Sequence, residues 1–413
     1  MLSMRHASAV ALIVVAIPAP ANAQGAFQTL QLTEEPACTG CTISIEPVAT
    51  LRGGEEYGGA SGTNYLLRDS RGRYIMSSIF DQSTLLVYGP DGQFQRALGR
   101  AGGGPDEFQQ IAFATLGPGD SIHVFDAEAR ARTVYTPDLE FVRRSNLGIR
   151  PSRGIVLTPD TTILVGTIAT RSHFGFGVHA VVNDRLDRPL GTMEPLGDNG
   201  RPLASLNRRA ATDGHGGFWT ADFDAFVLDG FGPSGRQHSR VAGEPAWFEQ
   251  ADPQTPEGRL NPRIRDLQID EQGLLWLTCS IPARDWRANI EVYDLPGAPG
   301  GFNLRSRTGN LDDLYDTILA VIDPTDGRLL AAHRMDTVVS GFADRSHIYA
   351  YLESADGEGS IQIWRVRFHQ PGGTDDGGRM LPSVPPAAGA GVLLFLGLAL
   401  AWWSLKRIRS SRI

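Results

Sequence analysis

Between residues 42 and 368 the chain alternates short apolar runs with clusters of Pro, Asp and Gly, and no long stretch there has the periodicity of an amphipathic helix. Ile264 to Asp270, Leu274 to Cys279, Ile348 to Leu352 and Ile361 to Val366 read as strands. The turns between strands recur. Gly89-Pro90-Asp91-Gly92, Thr136-Pro137-Asp138, Asp184-Arg185-Leu186-Asp187 and Gly232-Pro233-Ser234-Gly235 follow one another at 47 to 48 residues, close to the period of a four-stranded blade. The next such turn, Asp323-Pro324-Thr325-Asp326-Gly327, comes almost two periods later. Only two strands precede the break in that interval, so residues 281–316 are read as an insertion between the second and third strands of blade five.

Blade six, from Val338 to Phe368, offers three strands, one short of a full sheet. Ile43 to Leu51 is an apolar strand with no partner of its own, and pairing it outside blade six closes the ring. The expected fold is therefore all-β: a six-bladed β-propeller over residues 42–368, closed by an N-terminal strand. Forty-eight glycines and 26 prolines spread along the 413 residues suit so many tight turns.

The stretch from Gly92-Gln93-Phe94 through Leu98-Gly99-Arg100-Ala101-Gly102-Gly103-Gly104-Pro105-Asp106-Glu107-Phe108 resembles the NHL-like six-bladed propellers of bacterial exported proteins. In that family a turn glycine opens the outer strand, and a glycine-rich loop ending in Phe enters the next blade. Blade two adds Ile122-His123-Val124-Phe125-Asp126, but Ala131 stands where the repeat has arginine, with Arg130 and Arg132 on either side. The resemblance implies a fold; the family's functions, from protein binding to lyase and hydrolase activity, do not follow from it.

The two ends add a compartment. Residues 1–23 join a short start carrying Arg5 to an apolar run, Ala9 to Ile17, and end in Ala21-Asn22-Ala23, the pattern of a secretory signal cut before Gln24. Residues 387–405 form an uncharged apolar run ending beside Trp402 and Trp403 and followed by Lys406-Arg407-Ile408-Arg409. Such a run is long enough to cross a bilayer, and the basic residues 406–413 favour the cytoplasmic side. With residues 369–386 as a solvated linker, the expectation is one transmembrane helix and a body outside the cytoplasm. Val384-Pro385-Pro386, the apolar span and the basic cluster together also resemble PEP-CTERM sorting tails, with Pro386 where that motif has glutamate, so the tail is read as a permanent anchor.

Charge and residue usage narrow the chemistry. The net charge is −8, and without Arg5, Lys406, Arg407, Arg409 and Arg412 the body stands at about −13, which disfavours a nucleic-acid partner. Lys406 is the only lysine, which removes Schiff-base and P-loop chemistry from the body. Cys38 and Cys41 are expected as a local disulfide and Cys279 as a small buried strand residue. Gly102-Gly103-Gly104-Pro105 enters a strand rather than a helix, so it reads as an inter-blade turn and not a phosphate loop.

The loops joining second to third strands, and those joining successive blades, emerge on one face of a propeller. That loop-rich face is the expected site for a protein or small-molecule ligand, with no cofactor and no metal site expected. Candidate residues there are Arg52, Tyr57, Arg171, His173 and Arg201, followed by Trp247 and the group Arg284, Asp285 and Trp286. Arg284-Asp285-Trp286 is the densest meeting of charge and aromatic surface, either a recognition patch or two solvated charges beside a Trp that packs the insertion down. His173 reads either as a base or ligand at the channel mouth or as a structural histidine. His123, His215, His333 and His347 are scattered, and Asp266, Asp270 and Asp323 read as turn or strand-end residues. The leading expectation is a binding scaffold; the competing one is a propeller lyase or hydrolase with its site at the channel mouth.

Overall fold

The computed structural model describes residues 27–52, 65–77, 81–169, 174–189, 208–252, 255, 260–294, 302–354 and 356–371. The predicted signal, most of the linker, the transmembrane span and the basic tail lie outside these residues. Among the described residues no helix is long and apolar enough to cross a membrane.

Six sheets follow one another around the ring, each built on four antiparallel strands. Blade one comprises Leu66–Arg68, Tyr74–Met76, Leu85–Tyr88 and Phe94–Leu98. Blade two comprises Ile111–Leu116, Ile122–Asp126, Ala131–Tyr135 and Phe141–Asn146. Blade three comprises Gly154–Thr158, Thr161–Ala169, Phe174–Val182 and Arg185–Pro189. Blade four comprises Arg208–Thr212, Phe218–Asp222, Val227–Phe231 and Gln237–Ala242. Blade five comprises Arg263–Ile269, Leu275–Pro282, Tyr315–Asp323 and Arg328–Met335. Blade six comprises Gly341–Asp344, His347–Glu353 and Gly359–His369, with Thr42–Arg52 antiparallel to Gly359–His369 as its outer strand.

The apolar pattern explains the layering. Second strands are flanked by neighbouring blades on both faces and are buried along their length, as in Ile122–Asp126 and Phe218–Asp222. Fourth strands face solvent, and Phe141–Asn146 is accordingly polar and mostly exposed. Each sheet buries its faces only against its neighbours. Phe218 and Phe231 of blade four stack at 4.7 Å in a cluster shared with Ile163 and Val178 of blade three. Trp276 and Leu319 of blade five meet Ile348 and Val366 of blade six. Leu51 and Ile363 meet Tyr74 and Tyr88 of blade one across the closure. The six inner strands also touch in sequence, the first strand of blade six lying beside that of blade one, so the ring is complete.

Two glycines of the stretch from Gly92 to Phe108 are required by this packing. Gly92 has φ +81°, and a Cβ there would fall 2.6 Å from the Thr50 carbonyl of the closing strand. Gly99, at φ +76°, leaves space for the ring of the fully buried Phe108. The three-glycine loop that follows Gly99 binds the chain's own anion: the Glu107 carboxylate accepts the Gly104 amide at 2.8 Å. First-to-second-strand turns are tied by Asp69, Asp213 and Asp270, each accepting two backbone amides of its own turn. Asp323 does the same for Thr325 in an outer hairpin.

Two elements differ from the sequence expectation. Gln28–Gln31 adds a fifth strand, parallel to the outer strand of blade four, upstream of the start assigned to the propeller. The chain then crosses the edge of blade five, where Leu329 donates its amide to the Thr33 hydroxyl at 3.0 Å and accepts the Ala37 amide at 2.8 Å. It passes the Cys38–Cys41 disulfide and enters Thr42–Arg52. The insertion in blade five also carries regular structure, a hairpin of Ile290–Asp294 with Phe302–Ser306. Its residues alternate too weakly between apolar and polar to announce strands, because both faces of the hairpin are largely solvated.

Candidate functional site

The inner strands begin on the face formed by the inter-blade loops and the second-to-third-strand loops, the face singled out from sequence. Arg52 is exposed at the end of the closing strand. Trp247 is half-buried in the short turn Ala246–Phe248, its ring edge-on to Phe226 at 5.6 Å and to Phe248 at 5.9 Å. Arg284 and Asp285 are exposed, whereas Trp286 is only 5% exposed, packed with Leu260, Ala283, Ile290 and Leu314 beneath the insertion. The Arg287 guanidinium covers the indole at 4.6 Å, so this Trp is a packing residue. Tyr57, Arg171, His173 and Arg201 lie outside the described residues.

The histidines do not converge. His123 is buried in blade two and His347 in blade six, while His215 and His333 are exposed. Among the described residues no three His, Cys, Asp or Glu side chains come together as metal ligands do. Cys279 is a fully buried strand residue whose thiol burial pushes up, away from reactivity.

What does converge is a set of arginines. Arg153 directly precedes the inner strand of blade three, Arg209 is the second residue of that of blade four, and Arg265 is the third of that of blade five. These inner strands are consecutive neighbours around the channel. Alternation along the strand separates Arg208 from Arg209. Arg208 turns into its own sheet, pairing with Asp229 at 2.8 Å and donating to Thr220 at 3.3 Å. Arg209, 8% exposed, donates its Nε hydrogen to the Arg265 carbonyl oxygen, a bond that ties blade four to blade five. Its guanidinium sits 4.9 Å from the Phe223 ring, and that of Arg263 sits 5.4 Å from the same ring. Arg265 occupies a register shift between Ile264 and Asp266, an irregularity of the kind that re-aims a side chain.

Each of these groups feels the others. Burial, and next the Arg153 guanidinium, pull Arg209 down to about 9, with Asp266 opposing and Arg265 adding to the descent. Burial, Arg153 and Arg263 likewise lower Arg265. Among the described residues no carboxylate forms an ion pair with Arg153, Arg209 or Arg265. The nearby carboxylate, Asp266, is engaged by the backbone, accepting the Phe342 amide at 2.8 Å and the Leu267 amide at 3.0 Å. Gly341 makes room for it, since a Cβ there would fall 2.5 Å from the Asp266 carboxylate. Burial raises the Asp266 carboxyl in spite of those amides and of Arg153 and Arg209. Asp266 is thus a half-buried residue in the middle of its strand, beside the arginines, rather than the turn or strand-end residue expected from sequence. Burial also raises the hydroxyls of Tyr349 and Tyr315, each partly opposed by the arginines beside it.

Such a site offers positive potential and N–H donors in a partly desolvated setting, suited to holding oxyanions. The sequence did carry a trace of it: Arg153, Arg209 and Arg265 recur at an interval of 56 residues. That interval differs from the 47 to 48 of the outer turns, so turn-based alignment passes over it.

No protein-family model matches the chain, and no curated protein matches it by sequence. Its fold, however, recurs among solved structures. A member of the DUF4221 family from Bacteroides vulgatus is similar with a TM-score of 0.52 at 7% identity, over 80% of this chain and 99% of that one. A Bacteroides fragilis protein described as exported is similar with a TM-score of 0.48 at 10% identity, over 84% and 100% of the two chains. Virginiamycin B lyase from Staphylococcus aureus gives 0.36 at 8% identity, over 78% and 99%. The class to which fold and site lead is the six-bladed β-propeller. At these identities likeness speaks to fold alone.

Proposed function

We propose that this chain is an exported, membrane-anchored propeller whose role is binding, with a protein or small-molecule ligand held on the face where the inner strands begin. The observation that carries this reading is the cluster of Arg153, Arg209 and Arg265, three cations free of ion pairs among the described residues and gathered from three consecutive blades. Like charges brought together at partial burial cost stability, and a bound partner of opposite charge offsets that cost. Export and anchoring rest on the leader chemistry of residues 1–23 and on the apolar run 387–405 with its basic flank.

The test is native mass spectrometry of the full-length protein isolated from its own membranes in mild detergent. A molecule or partner retained by the unaltered chain and absent from the double variant Arg153→Gln, Arg265→Gln supports the reading. An identical, unoccupied mass for both chains argues against it.

A second reading, a lyase or hydrolase, has Asp266 in its favour, since a half-buried carboxyl raised above its usual range beside cations is suited to proton transfer. Conversion of a retained molecule by the unaltered chain, lost in Asp266→Asn, would move the protein to that class.

A further inference from the structure

We infer that the channel mouth is a receptor for a small polyanion, a molecule carrying two or more carboxylates or a phosphate group, gripped by Arg153, Arg209 and Arg265. This deepens the binding reading above and rests on it. Charge sets the valence. Three guanidiniums face one carboxylate, Asp266, whose oxygens are already taken up by the Phe342 and Leu267 amides. Arg263 at the rim has its own counter-ion in Asp224, at 3.5 Å. The unbalanced charge is thus two to three positive, which a dianion or trianion neutralises and a monoanion does not.

Geometry sets the size. The arginines stand at or near the starts of inner strands, with Arg209 only 8% exposed, so the oxyanion must enter the channel to meet them. Arg209 is held in advance by its bond to the Arg265 carbonyl and by Phe223, which lowers the ordering cost of binding. No hydrogen bond or ion pair among the described residues occupies the Arg153 and Arg265 guanidiniums, whose planar forks match carboxylate and phosphate oxygens. Recruitment of an acidic side chain from a protein partner is the competing occupant, and the same experiment separates it.

Full-length protein in detergent, at neutral pH and low salt, is titrated by calorimetry with citrate, inorganic phosphate and acetate at matched ionic strength. Citrate is expected to bind at one site, roughly tenfold or more tighter than acetate, with phosphate also ahead of acetate. Arg153→Gln and Arg265→Gln are each expected to weaken citrate by roughly tenfold. Arg305→Gln, at an exposed pair with Glu291 on the insertion hairpin, is expected to leave it unchanged. If either glutamine variant loses the wild-type circular dichroism, Arg153→Lys or Arg265→Lys replaces it, keeping the charge and removing the fork. Citrate and phosphate binding no tighter than acetate overturns the inference, as does citrate binding that persists undiminished in the folded variants. Displacement of citrate by poly-glutamate at far lower carboxylate concentration overturns it in favour of a protein partner. A chain indifferent to citrate and phosphate that still retains a neutral molecule or a protein from its membranes refutes the polyanion alone and leaves the binding role standing.

Discussion

At the scale of single residues, the buried polar side chains separate into those that hold the ring and those that face the channel. Arg132, 1% exposed, reaches from blade two to Thr162 and Asp184 of blade three and holds two sheets together. Next to it His123, 2% exposed, has its Nε2 3.0 Å from the Ser121 hydroxyl. Burial, and then the charges of Arg132 and Arg143, lower its imidazole from 6.5 to about 4. Folding therefore holds this ring neutral where the unfolded chain would protonate it. Its contribution is whole above pH 6.5 and drains away as pH falls toward 4, by on the order of 3 kcal/mol at most. His123→Asn should flatten the loss of stability between pH 7 and 4.5 measured by urea unfolding. An unchanged slope would assign the acid sensitivity to other groups. The imidazole was visible in the sequence, but its neutral state depends first on burial and then on Arg132 and Arg143, all of which come only with the paired strands.

Among elements, the N-terminal arm does more than close the ring. Its first strand extends blade four, its middle is bonded to Leu329 on blade five, and its last strand completes blade six, so one segment staples three consecutive blades from outside. Deleting residues 27–37 removes the parallel strand, the buried Leu32 and the bonds to Leu329, at a cost of roughly 2–4 kcal/mol. A drop of a few degrees in the thermal midpoint with a folded monomer retained is the expected result. Deleting Thr42–Arg52 instead strips Ile43, Ala49 and Leu51 from the seam between blades and should abolish the cooperative monomer. Scanning calorimetry with light scattering distinguishes these outcomes; equal stability of both deletions would mean the seam is held by something else. The closing strand was legible because an apolar strand without a partner has to find one. Gln28-Thr29-Leu30-Gln31 was not, since its burial pattern is set by the edge of blade four and not by its own composition.

For the molecule as a whole, the ring and the ends make separate claims. The ring is set by stacking of sheets; under the function proposed above, the ends answer to the bilayer as solvent and act on where the ring is found. Full-length chain is expected in the membrane fraction through an alkaline carbonate wash, with the body open to protease from outside the cytoplasm. Truncation after Pro371 should release it to the soluble extracytoplasmic fraction. Retention of the truncated chain in the membrane would remove residues 387–405 as the anchor.

By itself the sequence determined the repeat: blade number, the insertion between the second and third strands of blade five, and the strand that closes the ring. These are local properties, since turn residues and runs of apolar side chains declare themselves within a few positions. Tertiary structure alone decided the site. Arg153, Arg209 and Arg265 are ordinary strand-start residues until three blades set them side by side, and Asp266, next to Arg265 in the chain, is held there by the amides of Leu267 and of Phe342 from blade six. Burial and mutual charge, which make that cluster a candidate receptor, are properties of pairs far apart in the chain, and no local pattern encodes them.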